Sequence, residues 1–184
     1  MVNGGSLENC CTATYREFES RSYRKIYFMK VLFLDCDGVI NHSSWYKSAK
    51  YFNNEFIDPD IDPRTVSRLN AITSNTGAKI VISSSWKVDP YARVRLETAG
   101  IQNIIDCTPN LIFTAGDDYS RGMEIAAWLK DHPSVENYVI VDDMYDFFEE
   151  QRDHVYLIDY QLGLTKDDAY VIEVMLQSNV LNNK

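Results

Sequence analysis

The sequence predicts an α/β domain built on an open, mostly parallel β-sheet. Short apolar runs alternate along the chain with segments whose apolar residues recur at helical spacing. The first of these runs is continuously apolar rather than alternating, as in strands that are buried on both faces. Capping residues, prolines and glycines mark the ends of the helical segments. Together these observations favour strands that alternate with helices.

The predicted strands begin with the apolar run at residues 31–34, which a polar, aromatic-rich loop follows from residue 41 to about residue 60. Four later runs are predicted as strands in the same way, at residues 79–82, 103–106, 138–141 and 155–158. Ligands of open parallel sheets bind beyond the carboxyl ends of the strands. Polar residues that directly follow these runs are therefore candidates for a functional site.

The predicted helices lie between these strands. Asp62 is a suitable N-cap, Pro63 suits the first helical position, and Gly77 ends the first long helix. Similar signals predict three more helices: from Asp89-Pro90 to Gly100, over residues 121–131, and from Thr165 to about Ser178.

Length and composition limit the class of protein. A chain of 184 residues suits a single domain, which we predict at residues 29–184 after a polar extension at residues 1–28. Since no apolar run is long enough to cross a bilayer and no signal peptide is visible, we expect no membrane association and a cytoplasmic location. The four cysteines form no zinc-binding pattern. The net charge of −9 argues against broad binding to a nucleic-acid backbone.

The first predicted strand ends in the sequence Asp35-Cys36-Asp37-Gly38. In an extended segment, residues two apart point the same way, so Asp35 and Asp37 would project together. Two carboxylates that close repel each other unless a cation or a shared proton relieves them. Such a pair either forms an ordinary turn or belongs to a reactive site, and the pair alone does not decide between these readings.

The fourth predicted strand ends in Asp142-Asp143. Two acidic strand ends in one parallel sheet concentrate negative charge at one edge, which stability alone does not explain. Mg²⁺ with oxygen ligands would remove that cost, so this edge is a candidate magnesium site. Asp146 could join it as an outer carboxylate or could be a surface residue.

The second predicted strand ends in a run of three serines, Ser83 to Ser85. Hydroxyl and backbone N–H groups there suit a phosphate oxygen, although serines also cap helices. Arg121 at a helix start, and Lys87, are candidate cations for a phosphate or for a nucleophilic carboxylate.

These motifs, in this order, resemble the four motifs of the haloacid dehalogenase (HAD) superfamily. The segments Phe33–Asn41, Ile82–Trp86 and Gly163–Thr165 are similar to a group of small, nearly capless domains, some of which are fused to RNA-repair enzymes. The resemblance covers about residues 31–178. It implies a three-layer Rossmann-like fold with a five-stranded sheet in the order 3-2-1-4-5 and a minimal cap, here a small flap at about residues 41–60.

The resemblance also implies roles for the motif residues. Asp35 would attack phosphorus and form an aspartyl-phosphate, and Asp37 would act as the general acid and base. Asp142 and Asp143 would hold Mg²⁺ together with Asp35 and the backbone carbonyl of Asp37. Ser83 or Ser84 would bind the phosphoryl group, and Arg121 replaces the usual lysine. An acid at position 37 favours a phosphatase or phosphotransferase over a dehalogenase.

Three functions remain open from the sequence. The first is a phosphatase for a phosphorylated small molecule or nucleotide. The second is a polynucleotide 3′-end phosphatase of nucleic-acid repair, which the subgroup suggests. The third is a non-catalytic phosphoryl-binding module. The sequence leaves the oligomeric state undetermined.

Overall fold

The computed structural model of the chain describes residues 28–48, 58–116 and 119–178. The predicted extension lies outside the described residues apart from Phe28, as do residues 49–57 of the predicted flap. The division into an extension and one domain at residues 29–184 stays a prediction. None of the helices in the described ranges combines the length and the apolar character that crossing a membrane would require.

The described residues form one five-stranded sheet in the order β3-β2-β1-β4-β5, and every pair of neighbouring strands is parallel. This result confirms the predicted fold class and strand order. The strands are β1 (Met29–Leu34), β2 (Lys79–Ile82), β3 (Ile104–Cys107), β4 (Val135–Asp142) and β5 (Val155–Leu157). The strand order reverses between β1 and β4, which is where sheets of this kind bind their ligands.

Six α-helices are found in the described ranges: α1 (Ser43–Tyr46), α2 (Pro63–Thr76), α3 (Ala92–Thr98), α4 (Ile112–Ala115), α5 (Arg121–Asp131) and α6 (Lys166–Gln177). Two 3₁₀ helices, Ser85–Val88 and Glu149–His154, also lie in these ranges. The predicted caps are confirmed at α2, where Asp62 accepts a hydrogen bond from the Arg64 N–H and Gly77 adopts a left-handed conformation. Thr165 caps α6 in a capping box with Asp168.

The sheet is covered on both faces, which makes the domain three-layered. Alternate residues of β1 point to opposite sides, so Leu32 and Leu34 join one core cluster while Val31 and Phe33 join another. The first cluster includes buried residues of α2 and α6, and the second includes Ile125 and Trp128 of α5. Burial on both faces explains why the first strand is continuously apolar.

Several predicted boundaries differ from the observed ones, as at β4, which begins at Val135 rather than at residue 138. Two of the errors have a visible local cause. The helix expected from Asp89-Pro90 begins only at Ala92, because the Asp89 carboxylate accepts a hydrogen bond from the Tyr91 N–H and closes a turn first. The third strand begins at Ile104 rather than at residue 103, because Asn103 has a positive φ of 63° that does not fit an extended strand.

Candidate active site

The carboxyl ends of β1 and β4 bring three carboxylates together. Leu34 pairs with Val141, and the Asp35 N–H continues this pairing by donating to the Val141 carbonyl at 3.0 Å. Asp142 ends β4 and Asp143 follows it. One carboxylate oxygen from each of Asp35, Asp142 and Asp143 consequently lies within 4.8 Å of the other two. The backbone of Gly38 packs closely against the Asp143 side chain, since a Cβ atom at residue 38 would lie 2.4 Å from Oδ2 of Asp143.

Burial sets the electrostatics of this cluster. Asp35 and Asp142 are buried and Asp143 is partly exposed. Burial, and next the neighbouring Asp35 carboxylate, raise the pKa of Asp142 to about 7, although Arg121 acts in the opposite direction. The same two causes raise the pKa of Asp143. The cluster therefore holds more negative charge than its surroundings stabilise, and its oxygen donors fit a hard divalent cation such as Mg²⁺.

Arg121 is the cation that contacts this cluster. It is the first residue of α5, and its Nη1 atom donates to Oδ1 of Asp35 at 2.5 Å and to Oδ2 of Asp142 at 3.0 Å. Burial would lower its pKa, but these two carboxylates outweigh burial and raise it, so the guanidinium remains charged. Ser120 caps α5, and the Asp146 carboxylate accepts the Arg121 N–H at 3.0 Å. Asp146 thus helps to fix the helix end that carries Arg121.

Asp37 lies in a different environment from Asp35. Its side chain is exposed, and its Oδ1 atom accepts a hydrogen bond from the Asn41 amide at 2.7 Å. The Trp86 indole N–H lies 3.1 Å from both oxygens of the carboxylate. The Asp37 side chain does not belong to the carboxylate cluster found among the described residues. The prediction that Asp37 contributes to a metal site through its backbone carbonyl stays a prediction.

The two candidate serines differ in their hydrogen bonds. Ser84 caps the 3₁₀ helix by accepting from the Trp86 N–H at 3.3 Å, and it also interacts with the Cys36 thiol. Ser83 is fully buried, and its Oγ atom has no hydrogen-bond partner among the described residues. A buried hydroxyl without a hydrogen-bond partner is energetically costly. The Ser83 hydroxyl, rather than that of Ser84, is therefore available to form a hydrogen bond with a ligand.

Lys87 is engaged elsewhere. Its ammonium group forms an ion pair with the buried carboxylate of Glu124 and donates to the Thr108 hydroxyl at 3.1 Å. Glu124 also accepts the Leu111 N–H at 3.0 Å, so this pair connects α5 with the segment that follows β3. The prediction that Lys87 binds phosphate stays a prediction.

Three residues of this region were not predicted from the sequence as site residues: Asn41, Trp86 and Glu124. Asn41 and Trp86 stand in the motif segments, but no spacing rule indicates that their side chains reach Asp37. Glu124 lies three residues after Arg121, so helical spacing places both on one face of α5. That spacing was the available signal that Glu124 lies on the side of α5 that carries Arg121.

The order of the motifs and the strand order agree with one family. Residues 31–169 match the family described as "HAD domain in Swiss Army Knife RNA repair proteins". The chain belongs to this HAD family. No match was found among curated proteins or among solved structures. The family membership supports a HAD-type phosphatase or a role in RNA repair, and the acidic cluster agrees with the general use of Mg²⁺ by HAD proteins.

Proposed function

We propose that this HAD domain is a Mg²⁺-dependent phosphatase that hydrolyses a phosphomonoester through an aspartyl-phosphate on Asp35. The observation that carries the proposal is the contrast between two carboxylates two residues apart. Asp35 is buried within the acidic cluster and contacts Arg121, whereas Asp37 is exposed and hydrogen-bonded to Asn41 and Trp86. Two carboxylates in such different environments can serve as a nucleophile and as a separate acid and base.

In the first half of the proposed reaction, the Asp35 carboxylate attacks phosphorus. The bond between phosphorus and the leaving-group oxygen breaks, and the proton of Asp37 passes to that oxygen. In the second half, water attacks the phosphorus of the aspartyl-phosphate and gives a proton to Asp37. The bond between Asp35 and phosphorus then breaks, which releases inorganic phosphate and restores both side chains.

The phosphoryl group would be held by the unpaired Ser83 hydroxyl and by Arg121, whose guanidinium suits phosphate oxygens. Asp35, Asp142 and Asp143 would hold Mg²⁺, together with the backbone carbonyl of Asp37. The bound ion would supply positive charge that offsets both the clustered carboxylates and the phosphoryl oxygens.

Two classes of substrate agree with this proposal. One is a phosphorylated small molecule or nucleotide, and the other is the 3′-phosphate end of a nucleic acid. The description of the family favours the second class, since it names RNA repair proteins. The acidic net charge of −9 is compatible with recognition of an end but disfavours extended contact with a nucleic-acid backbone.

A specific observation favours a second candidate function, a non-catalytic phosphoryl-binding module. One nitrogen of Arg121 contacts both Asp35 and Asp142, so a protein cation already offsets part of the charge of these two carboxylates. If that contact persisted in the presence of Mg²⁺ and substrate, Asp35 would be blocked as a nucleophile. Catalysis and binding therefore have to be measured separately.

The experiment is phosphate release in the presence of Mg²⁺ from an aryl phosphate, nucleoside monophosphates and a 3′-phosphorylated oligonucleotide. We expect Asp35→Asn to abolish release and Asp37→Asn to accumulate covalent phosphate on Asp35. The matched control is Asp106→Asn, because Asp106 is a strand-end aspartate of β3 that hydrogen-bonds Trp128 outside the cluster. Equal release by the wild type and Asp35→Asn would overturn the mechanism. Full activity in EDTA would overturn the metal requirement.

A further inference from the structure

Two side chains from different segments hold the Asp37 carboxylate. Asn41 donates only to Oδ1, at 2.7 Å, and its own Oδ1 accepts the Gly38 N–H at 3.1 Å. Trp86 shares its indole N–H between Oδ1 and Oδ2, at 3.1 Å from each. Among the contacts of the described residues, Oδ1 therefore takes two donors, while Oδ2 takes only a share of one. Oδ2 is the oxygen left with the capacity to carry a proton.

Trp86 is itself held from two sides. Its backbone N–H donates to Ser84 Oγ, which fixes the start of the 3₁₀ helix Ser85–Val88. The guanidinium of Arg95 lies over its ring, with Cζ at 4.5 Å from the ring centroid, a distance typical of a cation–π contact.

Arg95 in turn is fixed by two carboxylates. It donates to Asp58 at 2.6 Å and 3.1 Å, and to Asp60 at 2.9 Å. These contacts orient the plane of the guanidinium against the indole ring. A continuous series of contacts thus leads from Asp58 and Asp60 through Arg95 and Trp86 to Asp37.

We propose that Trp86 is a positioning residue that orients the Asp37 carboxylate, and that Arg95 acts through Trp86 by fixing the indole ring. This inference rests on the proposed function. An indole N–H can donate a hydrogen bond but cannot take up the proton of a carboxylic acid at neutral pH, so Trp86 orients Asp37 without competing for the transferred proton. With Oδ1 occupied by Asn41, the proton passes between Oδ2 and the leaving-group oxygen or water.

The test exploits the leaving group. A nitrophenolate leaves readily without a proton, whereas an alkoxide needs one, so a misplaced general acid slows the hydrolysis of alkyl phosphates more than that of p-nitrophenyl phosphate. The quantity to compare is kcat/KM, because it reports the steps up to the first irreversible one and excludes the later hydrolysis of the aspartyl-phosphate. A purely structural role for Trp86 would reduce kcat/KM for both substrates by the same factor.

The variant is Trp86→Phe, which keeps an aromatic ring beneath Arg95 and removes the N–H group. We expect kcat/KM to fall by about tenfold or more for glycerol phosphate and by less than about threefold for p-nitrophenyl phosphate. The tenfold loss is only a part of the rate enhancement that a general acid contributes, because Asp37 itself remains. The matched control is Trp128→Phe, which removes an indole N–H bonded to the Asp106 carboxylate at 2.7 Å, outside the site. The control should show no selective loss for the alkyl substrate.

A second pair of variants tests the role of Arg95. Arg95→Gln should give a smaller loss with the same selectivity for the alkyl phosphate. Arg93→Gln is the control, because Arg93 lies on the same helix and pairs with Glu97 and with carbonyl oxygens after α3 instead of with Trp86. Selective loss in Arg95→Gln and its absence in Arg93→Gln would support the series of contacts.

The outcomes separate the inference from the proposed function. If phosphate release depends on Asp35 but Trp86→Phe loses nothing, or loses the same factor with both substrates, the inference is wrong and the proposed function stands. If no substrate shows release that depends on Asp35, the proposed function has failed. A selective loss for the alkyl phosphate in Arg93→Gln that equals the loss in Arg95→Gln would overturn the role of Arg95 alone.

Discussion

The Nη1 atom of Arg121 lies 2.5 Å from Oδ1 of Asp35, the residue that we propose as the nucleophile. The same atom contacts Asp142, so a single positive charge faces at least two negative ones in a mostly buried site. This excess of negative charge is the physical basis for expecting a second cation. It also makes Arg121 the residue whose replacement best separates metal binding from catalysis.

We predict that Arg121→Met binds Mg²⁺ more tightly than the wild type, because the three carboxylates then lose their protein cation. Without Mg²⁺ the variant should lose about 3 kcal/mol of unfolding free energy, since buried carboxylates become unpaired. Its kcat/KM should fall at least about tenfold, because the phosphoryl group loses a charged donor. Titration calorimetry, urea unfolding and phosphate release measure the three quantities.

The control for this variant is Arg152→Met, which removes an exposed arginine that pairs with Glu149 outside the site. It should leave Mg²⁺ affinity and kcat/KM unchanged. Weaker Mg²⁺ binding by Arg121→Met would show that the guanidinium supports the metal site instead of competing with it.

Ser83 and Ser84 should respond in opposite ways to replacement by alanine. Ser83→Ala removes a buried hydroxyl without a partner among the described residues, so the free energy of unfolding should stay constant or rise by about 1 kcal/mol. Its kcat/KM should nevertheless fall, since a ligand of the phosphoryl group is lost. Ser84→Ala removes a cap and should lower the free energy of unfolding by about 1 kcal/mol.

Urea unfolding and kinetics on the same two variants check this prediction. A Ser83→Ala enzyme with wild-type kcat/KM would remove Ser83 from the proposed phosphate site.

Much of the fold could be predicted because its determinants are local. Such determinants act within a few residues: the apolar run forms β1, Asp62 and Pro63 begin α2, and Gly77 ends it. The structure confirms all of these predictions. The start of β3 was missed because Asn103 adopts a positive φ, which its residue type permits but does not require.

The site was predictable to the extent that strand ends determine it. Asp35 and Asp142 directly follow Leu34 and Val141, the last paired residues of β1 and β4, and this parallel pairing brings them together. The contacts of Trp86 with Asp37 and of Lys87 with Glu124 depend on how side chains from distant segments meet. Neither periodicity nor capping rules encode such contacts, so the sequence left Lys87 among the candidate phosphate ligands.

Gly38 and Gly77 offer a matched test of the close approach at the carboxylate cluster. Both have a left-handed φ, 76° and 73°, so alanine should cost each about 1–2 kcal/mol of backbone strain. A Cβ at residue 38 would also lie 2.4 Å from Oδ2 of Asp143, whereas a Cβ at residue 77 would have no atom of the described residues within 4 Å apart from its chain neighbours. We predict that Gly38→Ala weakens Mg²⁺ binding and that Gly77→Ala does not.

Titration calorimetry with Mg²⁺ measures this difference, and thermal unfolding confirms that both variants fold. Equal Mg²⁺ affinity in the two variants would contradict a role for Asp143 in metal binding.

Lys87 and Glu124 should behave as a buried ion pair. Lys87→Met leaves a buried carboxylate unpaired and should lower the free energy of unfolding by about 3–5 kcal/mol. The double variant Lys87→Met/Glu124→Leu should recover much of this loss, because it removes the unpaired charge as well. Urea unfolding of the two variants and the wild type measures both effects.

Kinetics on the double variant then test Lys87 as a phosphate ligand. A stable double variant with wild-type KM would exclude that role, whereas a large rise in KM without loss of stability would support it.

The buried carboxylate of Asp62 should make the stability of the domain depend on acid pH. Burial tends to raise its pKa, but hydrogen bonds from His42 and Arg64 outweigh burial and hold the pKa well below its usual range. Below the ordinary aspartate pKa of about 3.9, the unfolded chain takes up a proton at this residue before the folded chain does. The stabilisation is therefore complete above about pH 5 and is lost as the pH falls towards the pKa of the folded state.

Asp62→Asn isolates this contribution, because asparagine caps α2 as well as aspartate does but carries no charge. We expect the variant to be less stable than the wild type at pH 7, and the difference between the two to shrink as the pH falls below about 4. Urea unfolding at intervals between pH 7 and pH 2 measures it, with the exposed Asp131→Asn as the control. A difference that stays constant over this range would show that the charge of Asp62 does not stabilise the fold.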